Sequence, residues 1–237
     1  MRLAPYIVFI VFSFLFLGAC KKNKIAPTES FIKIYDDLNG SNQYTPLSIV
    51  ETADGGYLIL SAHKGWQVFI LKIDELGEFQ WKIELPEKYV NATPNIVQYN
   101  NKNYVICMDQ IGLTTYLLEI DVSASNVNEV QHFTNITYPT YAFSNGNYFY
   151  IQSYDRNSRR TVLSKLSGNL SAVAVSAHFN VNTDIENRII EHVTFSGKRM
   201  PFFIRTTPEN SHIVMGCFYN YSFSTLFLDE NLNLTGV

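Results

Sequence analysis

Charge is scarce in this chain: Asp, Glu, Lys and Arg make up 16% of its 237 residues, with a net of −3. Nucleic acid calls for a concentrated basic face, so this mild acidity argues against DNA or RNA as a partner. The one basic cluster, Arg156 with Arg159 and Arg160, sits beside Asp155 and Asn157 and reads as a solvated hairpin tip. Cysteine is scarcer still. Of the three present, Cys107 and Cys217 lie in apolar contexts, "YVICM" and "IVMGC", in different parts of the chain. They read as buried thiols, not as the closely spaced pair a disulfide needs. Several reaction signatures are missing: no G-x-S-x-G elbow, no phosphate-cradling glycine loop, no H-E-x-x-H helix. Five histidines (His63, His132, His178, His192, His212) show no ligand spacing. Helical periodicity is nearly absent too; "DIENRIIEH", Asp184 to His192, has room for two turns at most. What abounds is aromatic, 17 Phe and 15 Tyr, and with Val, Ile and Thr these favour pleated, half-buried surfaces. The fold class expected is all-β.

The first residues read as a processing signal, not as fold. Arg2 supplies a positive charge, and "YIVFIVFSFLFLGA" (Tyr6 to Ala19) is apolar except for Ser13. That run is short of the ~20 apolar residues of a comfortable membrane span. It ends in "LGAC", Leu17 to Cys20, and turns abruptly polar at "KKNK". Small residues before the cut fit a peptidase cleft, and the cysteine after it offers a thiol for acylation. The segment resembles the lipobox of bacterial lipoproteins at all four positions. The resemblance implies a signal peptide over 1–19, lipidation (palmitate included) at Cys20, and a membrane as partner through that lipid. Several acyl chains hold a protein firmly on a bilayer, whereas one binds marginally. Lys21 stands where an inner-membrane retention aspartate would, so the resemblance favours the outer membrane of a Gram-negative cell envelope. Residues 20–30 then form a lipidated, flexible tether. Without residues 1–19, 218 residues remain, with 17 basic and 21 acidic side chains, a net of −4.

The remainder is repetitive. "FILKID", "YLLEID", "VLSKLS" and "TLFLDE" end at Asp74, Asp121, Ser167 and, one residue early, Asp229, with spacings of 47, 46 and 62. An apolar strand precedes each, beginning at Tyr57, Tyr104, Tyr148 and His212, and "SIVE", "NIVQ", "YAFS" and "FFIR" precede those. A fourth strand follows in three units, ending at Leu85, Phe133 and Phe179. Asp54-Gly55-Gly56 and Asn145-Gly146 supply the positive φ of tight hairpins, and Asn100-Asn101 fills that slot in the second unit. Four short strands per unit of about 45 residues is the pattern of a β-propeller blade. The units span about 46–85, 95–133, 140–180 and 201–237, with an insertion over 181–200, in a propeller-like domain over 31–237. The fourth unit reaches "NLNLTGV" where its last strand should begin, and "FIKIYD" (Phe31 to Asp36) reads as an orphan outer strand. The ring is therefore either closed by the amino-terminal strand or incomplete. "TADGGYLIL" followed by "ILKIDELGEFQW" resembles the repeat of bacterial extracytoplasmic β-propeller proteins, strongly in the first unit and by hydrophobic pattern in the others. That likeness implies a fold and a compartment, and no activity.

Candidate sites are few. Trp66, at a loop tip in "HKGWQ", is the residue for a ligand-binding role, against the alternative that it plugs the edge of its own blade. Asp229, Asn231 and Asn233 alternate like the start of a calcium loop, but Leu234 replaces the bend-forming glycine, so an Asx turn is favoured. Asp36-Asp37 with Asn39-Gly40 reads the same way. Triplets such as Asn135-Ile136-Thr137 carry no glycan signal in a bacterial lipoprotein. His132 and His178 recur at a spacing of 46 and read as structural, as does His212, a packed repeat residue by its position. No catalytic residue, metal or cofactor is assigned. The expected function is a membrane-anchored, non-catalytic binding or scaffold module for an envelope protein or a glycan. The alternatives are a propeller enzyme acting on glycans and a truncated propeller with no independent function.

Overall fold

The computed structural model describes residues 44–63, 66–183, 185, 201–209 and 211–237. The chain divides into Met1–Tyr35 and Asp36–Val237, and every described strand belongs to the second unit. The expected signal peptide, Cys20 and its tether, "FIKIYD", Asp36 to Gly40, the Asp184 to His192 segment apart from Ile185, and most of the insertion lie outside the described residues.

Four antiparallel sheets of four strands each stand in a ring, and the fold is a four-blade β-propeller. Blade 1 holds β1 (Tyr44–Glu51), β2 (Tyr57–His63), β3 (Gln67–Ile73) and β4 (Phe79–Glu84). Blade 2 holds β5 (Val97–Tyr99), β6 (Lys102–Met108), β7 (Thr115–Asp121) and β8 (Asn126–Phe133). Blade 3 holds β9 (Pro139–Ser144), β10 (Phe149–Asp155), β11 (Arg160–Leu166) and β12 (Val173–Asn180). Blade 4 holds β13 (Phe203–Thr206), β14 (His212–Tyr219), β15 (Ser222–Asp229) and β16 (Leu234–Gly236). The order within each sheet follows the chain, so every blade is a meander. Two middle strands carry most of the buried apolar residues, and the last strand is mostly exposed. The expected gap at the end of the fourth unit is corrected: β16 forms there, three residues long, and pairs with β15 through Phe227 and Leu228.

Apolar side chains between neighbouring sheets hold the blades together. Leu58, Leu60, Val68 and Ile70 of blade 1 meet Val105, Cys107, Leu118 and Ile120 of blade 2. Tyr104, Ile106 and Leu117 then meet Ala142, Phe149 and Ile151 of blade 3. Tyr150, Leu163 and Phe179 meet Ile213, Met215, Cys217 and Leu226 of blade 4. Burial of this kind is worth about 25 cal/mol per Å² of apolar surface, and no single four-stranded sheet can bury both faces alone. Cys107 and Cys217 are free buried thiols in separate seams.

The seams also correct the repeat alignment. Tyr57 and Tyr104 open their strands alike in sequence, yet Tyr57 pairs with Ile73 while Tyr104 pairs with Glu119. Lys72 and Glu119 are equivalent third-strand positions, and the residue paired with Lys72 is Leu58. Tyr104 therefore corresponds to Leu58, and Tyr57 lies on the opposite face. A one-residue slip exchanges the two faces of a strand. His212 is likewise corrected: it is exposed at the start of β14, where Ser211 Oγ lies 3.0 Å from Nδ1.

A proline stands at or shortly before every inner strand: Pro46, Pro94, Pro139 and Pro201. An edge strand lining an axis has N–H groups with no ladder partner, the place where proline is tolerated. The β1–β2 and β3–β4 turns and their equivalents lie at one end of the blades, called here the upper face. The β2–β3 turns and the crossovers between blades lie at the lower face. On the way from blade 1 to blade 2, Val90 bridges both Gln67 and Met108 and so stitches the two sheets at that end.

Candidate functional site

The upper face carries an open depression of about 1430 Å³ built from the turns of the first three blades. Glu51, Asp54 and Gly55 come from blade 1, Asn100, Lys102, Glu119 and Asp121 from blade 2, and Gly146 from blade 3. Four carboxylates and one lysine leave the lining acidic, and carboxamides fill the space between them.

The blade 1 wall is the "DGG" turn, and its chemistry explains why those residues sit there. Asp54 Oδ1 accepts from Thr52 Oγ1, from the Gly56 amide at 3.2 Å and from Lys72 Nζ at 3.1 Å. These donors hold its carboxyl down at about 2, the Thr52 hydroxyl contributing most. Lys72 is nearly sealed, with its side chain 3% exposed, and its ammonium is satisfied by Asp54 and by the Ile73 carbonyl at 2.9 Å. A buried ammonium without such partners would be costly. Gly56 leaves the room: a Cβ there would lie 2.3 Å from both Lys72 Nζ and the Ile73 oxygen. The motif thus ties the β1–β2 turn to the third strand.

Each later blade solves the same contact differently. In blade 2 the charges exchange places, and Lys102 beside the turn meets Glu119 on the third strand at 2.9 Å. In blade 3, Lys165 returns to the lysine position, and its ammonium lies 3.4 Å from the centroid of the Tyr148 ring. In blade 4 the position holds Phe227, 43% exposed. The aspartates that end the third strands cap the β3–β4 type turns. Asp74 accepts from the Leu76 and Glu78 amides, Asp121 from Ser123 and Ala124, Asp229 from Asn231 and Asn233. The Asp229 segment is an Asx turn, and no cluster among the described residues has three metal-ligating His, Cys, Asp or Glu groups.

Among the described residues, where the surroundings move a carboxyl group they move it down: Asp54, Asp121, Glu129, Asp155 and Asp229. Hydrogen-bond donors dominate for Asp54, Asp121, Glu129 and Asp229; at Asp155 they outweigh an opposing burial effect. A glycosidase general acid needs the opposite, a carboxyl held up near neutrality. The depression also lacks a stacking platform. Its one aromatic residue, Tyr99, is 6% exposed, and its hydroxyl is directed at the Asn147 and Gly168 carbonyls. The chemistry on offer is hydrogen bonding and attraction of positive charge.

Trp66 is on the lower face, away from this depression. It is half-buried against a cluster of Val90, Met108, Tyr138, Tyr154 and Phe218, and its carbonyl accepts from the Asn91 amide at 2.8 Å. The arginine cluster sits on the hairpin between β10 and β11, where Asp155 accepts from the Asn157 and Ser158 amides. His132 and His178 are exposed or nearly so on β8 and β12, paired with Glu129 and Ser176. No catalytic constellation joins them. Sequence reasoning missed the Glu129 contacts: Tyr89 donates to it at 2.6 Å and Lys88 at 3.0 Å, fastening the crossover to β8. The partners are 40 residues apart, and nothing in the local pattern links them.

No family model matches the chain, and no curated protein does. Solved structures do. A candidate 6-phosphogluconolactonase from Bacteroides uniformis superposes with a TM-score of 0.50 at 9% identity, over 81% of this chain and 53% of that one. A protein from Lactobacillus plantarum gives 0.50 at 9%, over 82% and 54%. The β-propeller domain of the trilobed protease from Pyrococcus furiosus gives 0.43 at 10%, over 81% and 56%. The likeness is one of fold. This chain spans little more than half the length of each.

Proposed function

We propose that the protein is a lipid-anchored lipoprotein of the bacterial cell envelope whose propeller acts as a non-catalytic binding or scaffold module. The upper-face depression is the site of contact. The observation that carries the reading is the condition of its acidic groups: Asp54, Glu119 and Asp121 are held in turns or ion pairs, and Asp54 and Asp121 are shifted down. Such groups present negative charge and hydrogen-bond acceptors, and the downward shifts of Asp54 and Asp121 are the opposite of what a general acid needs. A rigid scaffold bearing loops is where binding residues usually sit. The anchor reading rests on "LGAC" at Leu17 to Cys20.

Two measurements test the two halves separately. The full chain, expressed in a Gram-negative host with labelled palmitate, should take up label and sediment with membranes, and Cys20→Ala should do neither. Label retained by Cys20→Ala would overturn the anchor. Full-length protein in nanodiscs should capture an envelope protein or glycan, and the double variant Glu119→Gln/Asp121→Asn should lose at least tenfold in affinity. Capture unaffected by that variant would remove the depression from the reading. Turnover of a glycan by the purified chain would overturn the non-catalytic assignment in favour of a propeller enzyme.

A further inference from the structure

The two ends of the ring differ in charge and in polarity. At the upper face the turns expose Asp54, Glu75, Glu78, Glu209 and Glu230, with Lys102 among them. The described part of the lower face is the reverse. Its β10–β11 hairpin exposes Arg156, Arg159 and Arg160. Asp109 and Asp155 at the same end are half-buried and accept from amides of their own turns, and Glu87 stands next to Lys88. Apolar tips stand between these charges. Ile111 and Leu113 on the β6–β7 turn are 65% and 44% exposed, and Tyr221 on the β14–β15 turn is 76% exposed. The β6–β7 tip is held outward by its glycine. The Gly112 carbonyl accepts from the Tyr138 amide at 2.9 Å, and a Cβ at 112 would lie 2.4 Å from the Tyr138 ring. The turn therefore presses Gly112 inward and presents its two apolar neighbours to water. Beneath the tips lies an apolar floor to which every blade contributes: Trp66, Met108, Tyr154 and Phe218 belong to one cluster. Exposed apolar side chains gathered at one end and rimmed by charge mark a contact surface.

We propose that the lower face docks on a lipid surface: Ile111, Leu113 and Tyr221 enter the headgroup region of a bilayer containing anionic phospholipid, and the arginine hairpin binds its phosphates. Charge selects this occupant first. Arginines beside an anionic bilayer are attracted to it, while the acidic upper face is repelled. The apolar side chains also stand on separate turn tips around the ring, which suits a surface without fixed shape. Tyrosine, with an apolar body and a polar end, is favoured at headgroup level. Finally, β1 begins at this end with Tyr44, so the chain coming from Cys20 enters the propeller from the lower face. That last point rests on the anchored reading above; the charge and the apolar tips do not. A few tips and arginines bind a bilayer weakly by themselves, but a lipid anchor makes the contact intramolecular, and a weak contact then suffices. The propeller is thereby oriented, with the acidic depression turned away from the bilayer.

The test uses the full chain in nanodiscs of phosphatidylethanolamine and phosphatidylglycerol. Ile111→Cys, Tyr221→Cys and, at the upper face, Leu76→Cys each receive an environment-sensitive fluorophore. Wild type serves as background, because Cys107 and Cys217 are buried. Labels at 111 and 221 should be quenched by nitroxide-bearing lipid, and the label at 76 by aqueous iodide. Replacing phosphatidylglycerol with phosphatidylcholine, or introducing Arg156→Gln/Arg159→Gln, should lower lipid quenching at 111 about twofold or more, with the melting curve retained. No change in either case overturns the anionic-lipid assignment. Labels at 111 and 221 open to iodide in a chain that has taken up palmitate overturn the docking face and leave the anchor standing. Lipid quenching at both positions in a chain without palmitate supports the docking face and removes the anchor. Shielding from iodide without lipid quenching means that a protein covers the face, and this too overturns the proposal.

Discussion

At the scale of single residues, the "DGG" turn makes distinctions that its spelling hides. Gly55 and Gly56 are adjacent, but they are glycine for different reasons. Gly55 has φ of +83°, a backbone requirement, while Gly56 is needed for space beside Lys72 and Ile73. Gly146 also has positive φ, +87°, but no heavy atom lies within 4 Å of where its Cβ would stand. Gly146→Ala should therefore cost only the left-handed strain, about 1 kcal/mol. Gly56→Ala must displace a backbone oxygen and a buried ammonium, and should cost about 2–4 kcal/mol. Urea unfolding of the two variants checks the order. The neighbouring Asp54 has a pH signature. Its folded pKa is depressed to about 2, below the ordinary carboxylate value, so its contribution is present above about pH 4 and is lost as pH falls towards 2. The carboxylate is 56% exposed, which dilutes its Coulomb energy, but Lys72 is not exposed and would be left buried with one partner fewer. Asp54→Asn should destabilise by about 1–2 kcal/mol at pH 7. The gap between variant and wild type should close between pH 4 and pH 2. A gap constant with pH would show that the ion pair contributes nothing.

At the scale of strands and turns, register decides what a residue does, and register was the least legible feature. The run of short apolar segments, the turn residues and the terminal aspartates located fifteen of the sixteen strands among the described residues, because alternation and tight turns are local properties. Facing direction is not local. It depends on how many residues the preceding hairpin consumes, and the first two units differ by one. Tyr57 and Tyr104 look interchangeable in the sequence, and they are not. Tyr104 is 4% exposed, edge-on to Phe149 in the seam between blades 2 and 3, whereas Tyr57 is half-buried on an outer face. Tyr104→Ala should cost about 3–5 kcal/mol, as other large-to-small changes in a packed core do. Tyr57→Ala should cost less than half of that. Equal losses in denaturant titrations would restore the alignment by sequence. The prolines were a signal available and unused: Pro46, Pro94, Pro139 and Pro201 mark the inner strands more regularly than the tyrosines mark the second ones. The depression was not legible either. Its wall joins residues 51–55, 98–103, 119–123 and 146, which only the stacking of blades brings together.

At the scale of the whole molecule, stability follows from stacking of blade on blade around the ring, so each blade depends chiefly on its neighbours. Blade 4 has the weakest internal support: β13 has four residues and β16 three, against eight and six in the first and last strands of blade 1. Its outer face is also the one with Phe227 in water. Local opening should therefore begin there before it reaches the centre of the ring. The two buried cysteines report on it without engineering. Cys107 lies in the seam between blades 1 and 2 and Cys217 in the seam between blades 3 and 4, each fully buried. Burial pushes both thiols up, Cys217 to about 12, so neither reacts while its seam is closed. Pulse alkylation of the folded chain in rising urea, read by peptide mass spectrometry, should label Cys217 at lower denaturant than Cys107. Labelling of both at a single midpoint would mean that the four blades open as one cooperative unit, and that the short strands of blade 4 are compensated by its seam with blade 3. Labelling of Cys107 first would place the weak point at blade 1 and reverse the argument from strand length.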